Sequence, residues 1–383
     1  MQSNKINSYV NKKLKEISRN NQLRKIHDVQ RKPKNQITIN GKNAISFSCN
    51  DYLGLSLNRS VIKAAEVATK KFGVGAGASR LVTGNNYLYS LLENKIKKLK
   101  KTSACCVFGS GFLANIGVIS SLMNKKDLIL IDELSHASTF LGSKLSGALV
   151  IQFKHNNVED LEKQLYKFRN KYNKCLILTE GVFSMDGDIS PQDFISVLKK
   201  KYSASFMLDD AHGLGVIGDG TGSNSLFKKK PDIDIYLGTL SKAVGSYGGF
   251  ICGKKNLINF IINRCRSQIY TTGLPPSVLA ASIKSLEIIK SNKRLIKKPL
   301  ENAIFFSKIV GLEIPVSPIV PIILGDENRA INLSRYLNRC GYIVGAIRPP
   351  TVPKGTSRLR VAFNSSHTKL QIKNLANLIK NKL

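Results

Sequence analysis

Residues 204–220 read ASFMLDDAHGLGVIGDG. A short apolar run ends on two carboxylates, Asp209 and Asp210, and passes at once into a glycine-rich loop carrying His212. Such a run, bounded by turn residues, predicts a buried strand, and in α/β sheets ligands bind outside the carboxyl ends of the strands. Four further runs share the texture: DLILID (127–132), KCLILTE (174–180), DIYLGTL (234–240) and GFICG (249–253). Stretches of helical spacing, VEDLEKQLYKFRNKY (158–172) and PQDFISVLKKKY (191–202), separate several of them. The alternation predicts an α/β fold with a mostly parallel sheet buried on both faces by helices. Polar residues collect where the runs end. Besides Asp209 and Asp210 there are Thr239, Ser241 and Lys242, Glu180 before GVFSMDGD, and Asp132 before ELSHAS.

Outside this region, residues 1–30 read as a basic amphipathic helix and linker, and QITINGKNAISFS (36–48) as a hairpin turning at Gly41. YLYSLLENKIKKLKK, from residue 87, has helical spacing. Near residue 285 the texture changes, and IIKSNKRLIKKPLENAIFF predicts one long basic helix. A smaller set of strands and helices follows, including SRLRVAF (357–363). The expected division is an N-terminal helix and hairpin (1–48), a large domain (49–285) and a smaller α+β domain (286–383).

The chain of 383 residues is 42% apolar, enough for packed cores. Its 59 basic and 25 acidic residues give a net charge of +34. The basic residues are scattered in short clusters, such as Lys97, Lys98, Lys100 and Lys101, without interleaved aromatics. They read as solvated faces of a lysine-rich composition, and no specific nucleic-acid partner is expected. A diffuse positive field would still attract a polyanionic substrate. Seven cysteines, an odd number with no C-x-x-C, point to reduced thiols in a cytoplasmic protein and to no metal site. No apolar run approaches the ~18–20 residues of a membrane span. His27, His155 and His367 stand in polar contexts and are expected at the surface, whereas His136 and His212 lie in strand-end loops.

Lys242 is the one charge in LGTLSKAVGSYGGF (237–250). A lysine reacts as a nucleophile only when part of its population is neutral. Set among small residues at a strand end, it leaves room for a bulky phosphorylated partner, and pyridoxal phosphate fits the other residues. Ser110 and Gly111, opening the helix in GSGFLANIG, provide an anion site, and Thr239 adds a hydroxyl. Asp209 suits the pyridine nitrogen, which a carboxylate keeps protonated, and His136 could stack on the ring.

The segments SFSCNDYLGLS (46–56), GAGASRLVTGNN (75–86), DELSHAS (132–138), TEGVFSMDGD (179–188), DDAHGLGVIG (209–218), TLSKAVGSYGG (239–249), IYTTGLPP (269–276) and IRPPTVPKGTSRLRVAF (347–363) carry a resemblance over nearly the full length. The chain resembles the α-oxoamine synthases, pyridoxal-phosphate enzymes that condense an amino acid with an acyl thioester and release carbon dioxide. The resemblance implies the aspartate-aminotransferase type of fold (fold type I), with a mixed, mainly parallel sheet in the large domain and a small second domain, and a homodimer. It matches Lys242 to the Schiff-base lysine, Asp209 to the pyridine-nitrogen partner, His136 to the ring-stacking histidine, and His212, with Ser184 nearby, to the phenolic oxygen. Ser110, Gly111, Phe112 and Thr239 match the phosphate site, and Thr271 and Thr272 a segment reaching into the second subunit's phosphate site. Arg360 matches the arginine for the substrate carboxylate, and Asn50 and Arg24 match substrate-side positions. TEGVFSMDGD and RPPTVPKGTSRLR favour the branch that joins L-alanine to a pimeloyl thioester of coenzyme A or a carrier protein. The alternatives are glycine-using members of the family and, in another class, a basic nucleic-acid-binding protein on a retired aminotransferase fold; loss of Lys242 or Asp209 would favour the latter, and both are present. Many relatives carry histidine where this chain has Tyr89.

Overall fold

The computed structural model describes residues 5–20 and 22–383, so residues 1–4 and 21 of the expected N-terminal helix and linker lie outside it. A seven-stranded sheet runs in the spatial order Ala104–Phe108, Gly249–Gly253, Ile235–Thr239, Ser205–Asp209, Cys175–Glu180, Leu128–Asp132, Leu149–Phe153. Gly249–Gly253 is antiparallel to both neighbours, and the other strands run parallel to one another. The fold is therefore the mixed, mainly parallel sheet expected. The alternation of side chains along each strand feeds two cores. Leu128, Leu130, Ile177, Phe206 and Leu208 enter one apolar cluster, whereas Ile129, Ile131, Leu176, Leu178 and Met207 enter the other.

Two strands escaped the sequence reading. Ala104–Phe108 contains two cysteines and lacks a long aliphatic run, and Leu149–Phe153 is an edge strand whose first four residues stay partly in water. The expected long basic helix is in fact two, Pro276–Ser291 and Lys293–Val310. Asn292 leaves helical geometry at φ −115°, ψ 81°, and its side chain accepts the N–H of Leu295, capping the second helix.

A three-stranded antiparallel sheet places Ser357–Ala362 between Ile319–Gly325 and Gly345–Ile347. Phe306, Val320, Leu359, Val361, Phe363 and Leu375 form a third apolar cluster there, which we propose as the core of the smaller domain. The hairpin Gln36–Ile39/Lys42–Ser46 turns at Gly41, with φ 77°, and its second strand pairs with Tyr342–Ile343. His367 is not at the surface as expected. It is buried, its Nδ1 accepts the Asn364 N–H at 3.0 Å, and its Nε2–H donates to the Ser46 carbonyl at 2.9 Å. The ring lies flat on Phe47, with centroids 3.9 Å apart. Burial pushes its pKa down to about 4, so a neutral imidazole ties the C-terminal segment to the hairpin. The polar neighbours of His367 in sequence report the turn it sits in, not what folds over it.

Tyr89 is buried. Its hydroxyl accepts the Leu274 N–H at 2.5 Å, and the Arg80 guanidinium lies 3.8 Å from its ring centroid. Lys100, one of the clustered lysines read as solvated, is buried instead. Its Nζ donates to Asp210 Oδ2 at 2.9 Å and to the Thr221 carbonyl at 2.6 Å. Asp210, fully buried, also accepts the Ser223 N–H. The pair closes the 210–223 loop and turns Asp210 away from the site beside it. Because removing one partner strands a buried charge, Lys100→Met is expected to cost about 3–5 kcal/mol in chemical denaturation. A loss below about 1 kcal/mol would show that water reaches Asp210 and the loop does not depend on the pair.

Candidate active site

Lys242 stands just beyond strand Ile235–Thr239, in the turn leading to Gly249–Gly253. The turn is closed by Leu240 N–H to Gly248 O at 2.9 Å and Gly245 N–H to Lys242 O at 2.8 Å. Thr239 Oγ1 donates to the Gly248 carbonyl at 2.9 Å. Gly245 has φ 68°, and an added Cβ would lie 2.4 Å from the Ser56 nitrogen. The small residues around the lysine are thus a packing requirement: the turn is pressed against the segment around Leu55 and Ser56. The lysine lines a cavity of about 200 Å³ with Ser110, Gly111, Phe112, Asn115, His136, Ser138, Glu180, Asp209, His212 and Thr239. Burial depresses the Lys242 pKa against the opposing charges of Asp209 and Glu180, Arg360 adds to the depression, and the amine settles at about 8.

Asp209 is held by a residue that sequence reasoning missed. Asn115 Nδ2 donates to Asp209 Oδ2 at 2.7 Å and to Ser138 Oγ at 3.0 Å. The other oxygen of Asp209 accepts the Ala211 N–H at 3.1 Å. Ser138 Oγ lies 2.7 Å from His136 Nδ1, which also accepts the Ser138 N–H as the cap of helix Ala137–Ser146. With Nδ1 accepting, the ring proton sits on Nε2. Desolvation lowers the His136 pKa, only partly opposed by Asp209 and reinforced by Lys242, which favours the neutral ring although the residue stays partly in water. One chain of hydrogen bonds therefore orients both Asp209 and His136. The available signal was Asn115 itself, a buried amide in the otherwise apolar helix opening GFLANIGV.

His212 and Arg360 are joined by Tyr52, also missed. Arg360 Nη2 donates to the buried Tyr52 hydroxyl oxygen at 3.3 Å, and that oxygen lies 2.7 Å from His212 Nδ1. The contact to Asn50 Oδ1 is longer, 3.4 Å. The single Tyr52 proton thus goes to His212 Nδ1 and leaves Nε2–H as the donor facing the cavity. Burial, with Lys242 and Arg360 adding to it, holds the His212 pKa well below the usual range. Arg360 also donates through Nη1 to Asn50 Oδ1 at 3.1 Å and through Nε to the Ser184 carbonyl. Arg358, two residues earlier, is engaged by Asp186.

Ser110 caps helix Gly111–Leu122, its Oγ accepting the Leu113 N–H at 3.1 Å. The N–H groups of Gly111 and Phe112 have no acceptor within the helix. Thr239 is their neighbour: a Cβ on Gly111 would lie 3.6 Å from Thr239 Cβ. Ser184 lies outside this cavity and lines a second one, of about 530 Å³, with Glu133, Met185, Asp186 and Pro350–Pro353; His136 lines both. Thr271 and Thr272 do not line the Lys242 cavity. Thr271 Oγ1 donates to the Ser267 carbonyl, and Thr272 bridges to Ser79. Arg24 is exposed and reaches Thr351 Oγ1 at 3.4 Å, on the rim of the second cavity. Glu180, noted in the sequence only as a strand end, is buried in the Lys242 cavity with Oε1 lacking a partner. Burial, then the charge of Asp209, raises its pKa well above the carboxylate range. Among the described residues no group of three or more histidines, cysteines and acidic residues is placed to hold a metal ion, and no helix is long and apolar enough to cross a membrane.

The chain belongs to the aminotransferase class I and II family, whose model matches residues 42–379, and within it to the α-oxoamine synthases. It is 44% identical to the 8-amino-7-oxononanoate synthase of Beijerinckia indica over 98% of this chain and 97% of the relative. Its fold is similar to that of the serine palmitoyltransferase of S. paucimobilis, solved with a bound PLP–myriocin aldimine, with a TM-score of 0.91, 30% identity and coverage of 99% of this chain and 97% of that one. An 8-amino-7-oxononanoate synthase structure from Francisella tularensis matches with a TM-score of 0.75 and 30% identity, covering 88% of this chain and 97% of that one.

The cofactor is pyridoxal phosphate, and the cavity suits it. Free N–H groups at a helix start face a hydroxyl at one side, a hydrogen-bonded carboxylate lies deep in the cavity, and an amine of lowered pKa lines it. In cofactor-free protein, covalent attachment of added pyridoxal phosphate to Lys242 should therefore accelerate about ten-fold per pH unit up to about 8 and level off above. The neutral amine is the reacting form, and its population saturates once pH exceeds the pKa. A rate still climbing ten-fold between about pH 9 and 10 would mean that the lysine keeps an ordinary pKa.

Proposed function

We propose that the protein condenses L-alanine with a pimeloyl thioester, of coenzyme A or of a carrier protein, to give 8-amino-7-oxononanoate, carbon dioxide and free thiol. The observation that carries the reading is the meeting of Lys242, Asp209, His136 and a helix N-terminus in one cavity, in a chain 44–48% identical to proteins named for this reaction. Bound through its aldehyde, pyridoxal phosphate supplies an electron-accepting ring that stabilises negative charge at Cα.

The residues divide the remaining work. Gly111 and Phe112 N–H groups, with Ser110 and Thr239, bind the phosphate. Asp209, fixed by Asn115, holds a proton on the ring nitrogen. His136 packs its neutral face on the ring, and His212 donates Nε2–H to the phenolic oxygen, with Ser184 nearby. Arg360 grips the amino-acid carboxylate through a planar two-donor fork. Asn50, already bonded to Arg360, limits the orientations of that fork. Lys242 Nζ, neutral in a substantial fraction near pH 8, takes the Cα proton and returns one after decarboxylation. Arg24 serves the substrate side, a reading supported by its contact with Thr351 at the rim of the second cavity.

We further propose a homodimer in which Thr271 and Thr272 serve the phosphate site of a second copy. Their position outside the cavity of their own chain supports this, as do the exposed apolar side chains of Leu81, Val82 and Tyr270 nearby in the sequence or across the Ser79–Thr272 bridge. The charge of +34 is read as composition, and duplex or single-stranded DNA is expected to dissociate steeply with salt and without sequence preference.

The decisive assay is kcat/KM for L-alanine and glycine against pimeloyl, acetyl and succinyl thioesters. L-Alanine with the pimeloyl thioester should give the highest value. Glycine should remain a poor substrate rather than an excluded one, since a methyl pocket discriminates by about 1–3 kcal/mol. Glycine with acetyl- or succinyl-coenzyme A on top would assign the chain to another branch. Arg360→Ala should raise the amino-acid KM at least ten-fold, roughly, whichever pair wins.

A further inference from the structure

His155 was expected at the surface, yet it sits between two strand-end loops. Its Nδ1 lies 3.0 Å from Asp132 Oδ1 and its Nε2 lies 2.8 Å from Asp188 Oδ2. Both contacts require a donating ring nitrogen, so the bridge is complete only as the imidazolium. Burial opposes that charge, but hydrogen bonds to Asp132 and Asp188, reinforced by their charges, overcome it and hold the pKa up at about 10. The neighbouring residue repeats the bridge: Asn156 N–H donates to Asp132 Oδ2 at 2.9 Å, and its amide donates to Asp188 Oδ2 at 2.6 Å. The His155 ring also stands edge-on to buried Phe183, with centroids 4.4 Å apart. The expectation of exposure failed because both partners come from other strands, 23 and 33 residues away in sequence.

The two loops so joined carry the site. Asp132 Oδ1 also accepts the Leu134 N–H, shaping the turn that ends at His136. The Asp188 carbonyl accepts the Phe183 N–H, closing the 183–188 loop on which Ser184 holds Arg360 and Asp186 holds Arg358. Residues of the same two loops line the 530 Å³ cavity. Neither Asp132 nor Asp188 contributes a hydrogen bond to the Asp209 carboxylate or to the turn of Lys242, and His136 keeps its own hold through Ser138 and Asn115.

We propose that His155 is a positioning residue: as a cation bridging Asp132 and Asp188 it fixes the spacing of the two loops, and so places Arg360, held by the Ser184 carbonyl, for the amino-acid substrate. The inference rests on the site reading above, but not on the identity of the acyl donor. Its test uses the full-length holoenzyme. Amino-acid affinity is read from the change in absorbance of bound pyridoxal phosphate on titration with L-alanine, which needs no thioester.

His155→Phe keeps the ring against Phe183 and removes both donors. It should weaken L-alanine about ten-fold or more, as expected for a displacement near 1 Å, while the affinity for pyridoxal phosphate stays within about three-fold. His155→Gly leaves room for a free imidazolium, and added imidazole should restore most of the lost L-alanine affinity. Parent-like L-alanine affinity in either variant overturns the proposal. So does a parallel loss of cofactor affinity, or a loss that imidazole does not repair, because either would mark a merely structural role. If the glycine substitution prevents folding, His155→Gln replaces it: one carboxylate keeps a donor, and an L-alanine affinity no better than that of His155→Phe is expected, whereas full recovery would overturn the need for a two-sided bridge. An unfavourable substrate panel with an intact His155 effect would sink the name of the reaction and leave this inference standing.

Discussion

The candidate site turns on one electrostatic constraint: a carboxylate, Asp209, and an amine, Lys242, share a cavity of about 200 Å³. Burial draws the amine toward its neutral form, since a charge in a poor solvent is costly. Each is kept useful by its surroundings. Asp209 receives N–H donors from Asn115 and Ala211, one on each carboxylate oxygen, which fix its orientation. Lys242 has no such set of acceptors and is drawn toward the neutral form, with its pKa at about 8. The neighbouring carboxylate, Asp210, is removed from competition by Lys100. Two adjacent aspartates therefore have separate duties, one in the cavity and one in the framework.

The sheet explains why these groups meet. Parallel strands bring the residues after Asp132, Glu180, Asp209 and Thr239 to the same edge, and the antiparallel strand Gly249–Gly253 folds the Lys242 turn back over it. Around that edge, hydrogen-bonded chains set the orientation of each group. Asn115 and Ser138 connect Asp209 to His136, and Tyr52 connects His212 to Arg360. Both histidines have Nδ1 committed to an acceptor role, so both present Nε2–H.

Much of this was legible in the sequence because it rests on local pattern. Strand runs ending in polar residues were enough to place Asp209, Lys242 and His136 at one edge. What escaped were partners remote in sequence. Lys100 looked like its solvated neighbours until Asp210, 110 residues away, was found against it. His155 and His367 stood among polar residues, yet each is clasped by distant elements. The break at Asn292 was hidden by apolar spacing that continues on both sides of it, although asparagine is a good helix cap. Asn115 and Tyr52 lay inside segments already noticed, but their role depends on which side chain they reach.

The central claim, that Lys242 is the nucleophile of this cavity, is tested most directly by reducing the holoenzyme with borohydride and mapping the modified peptide by mass spectrometry. The account predicts one phosphopyridoxyl group per chain, on the peptide containing Lys242. The same label on a different lysine, at comparable stoichiometry, would contradict it.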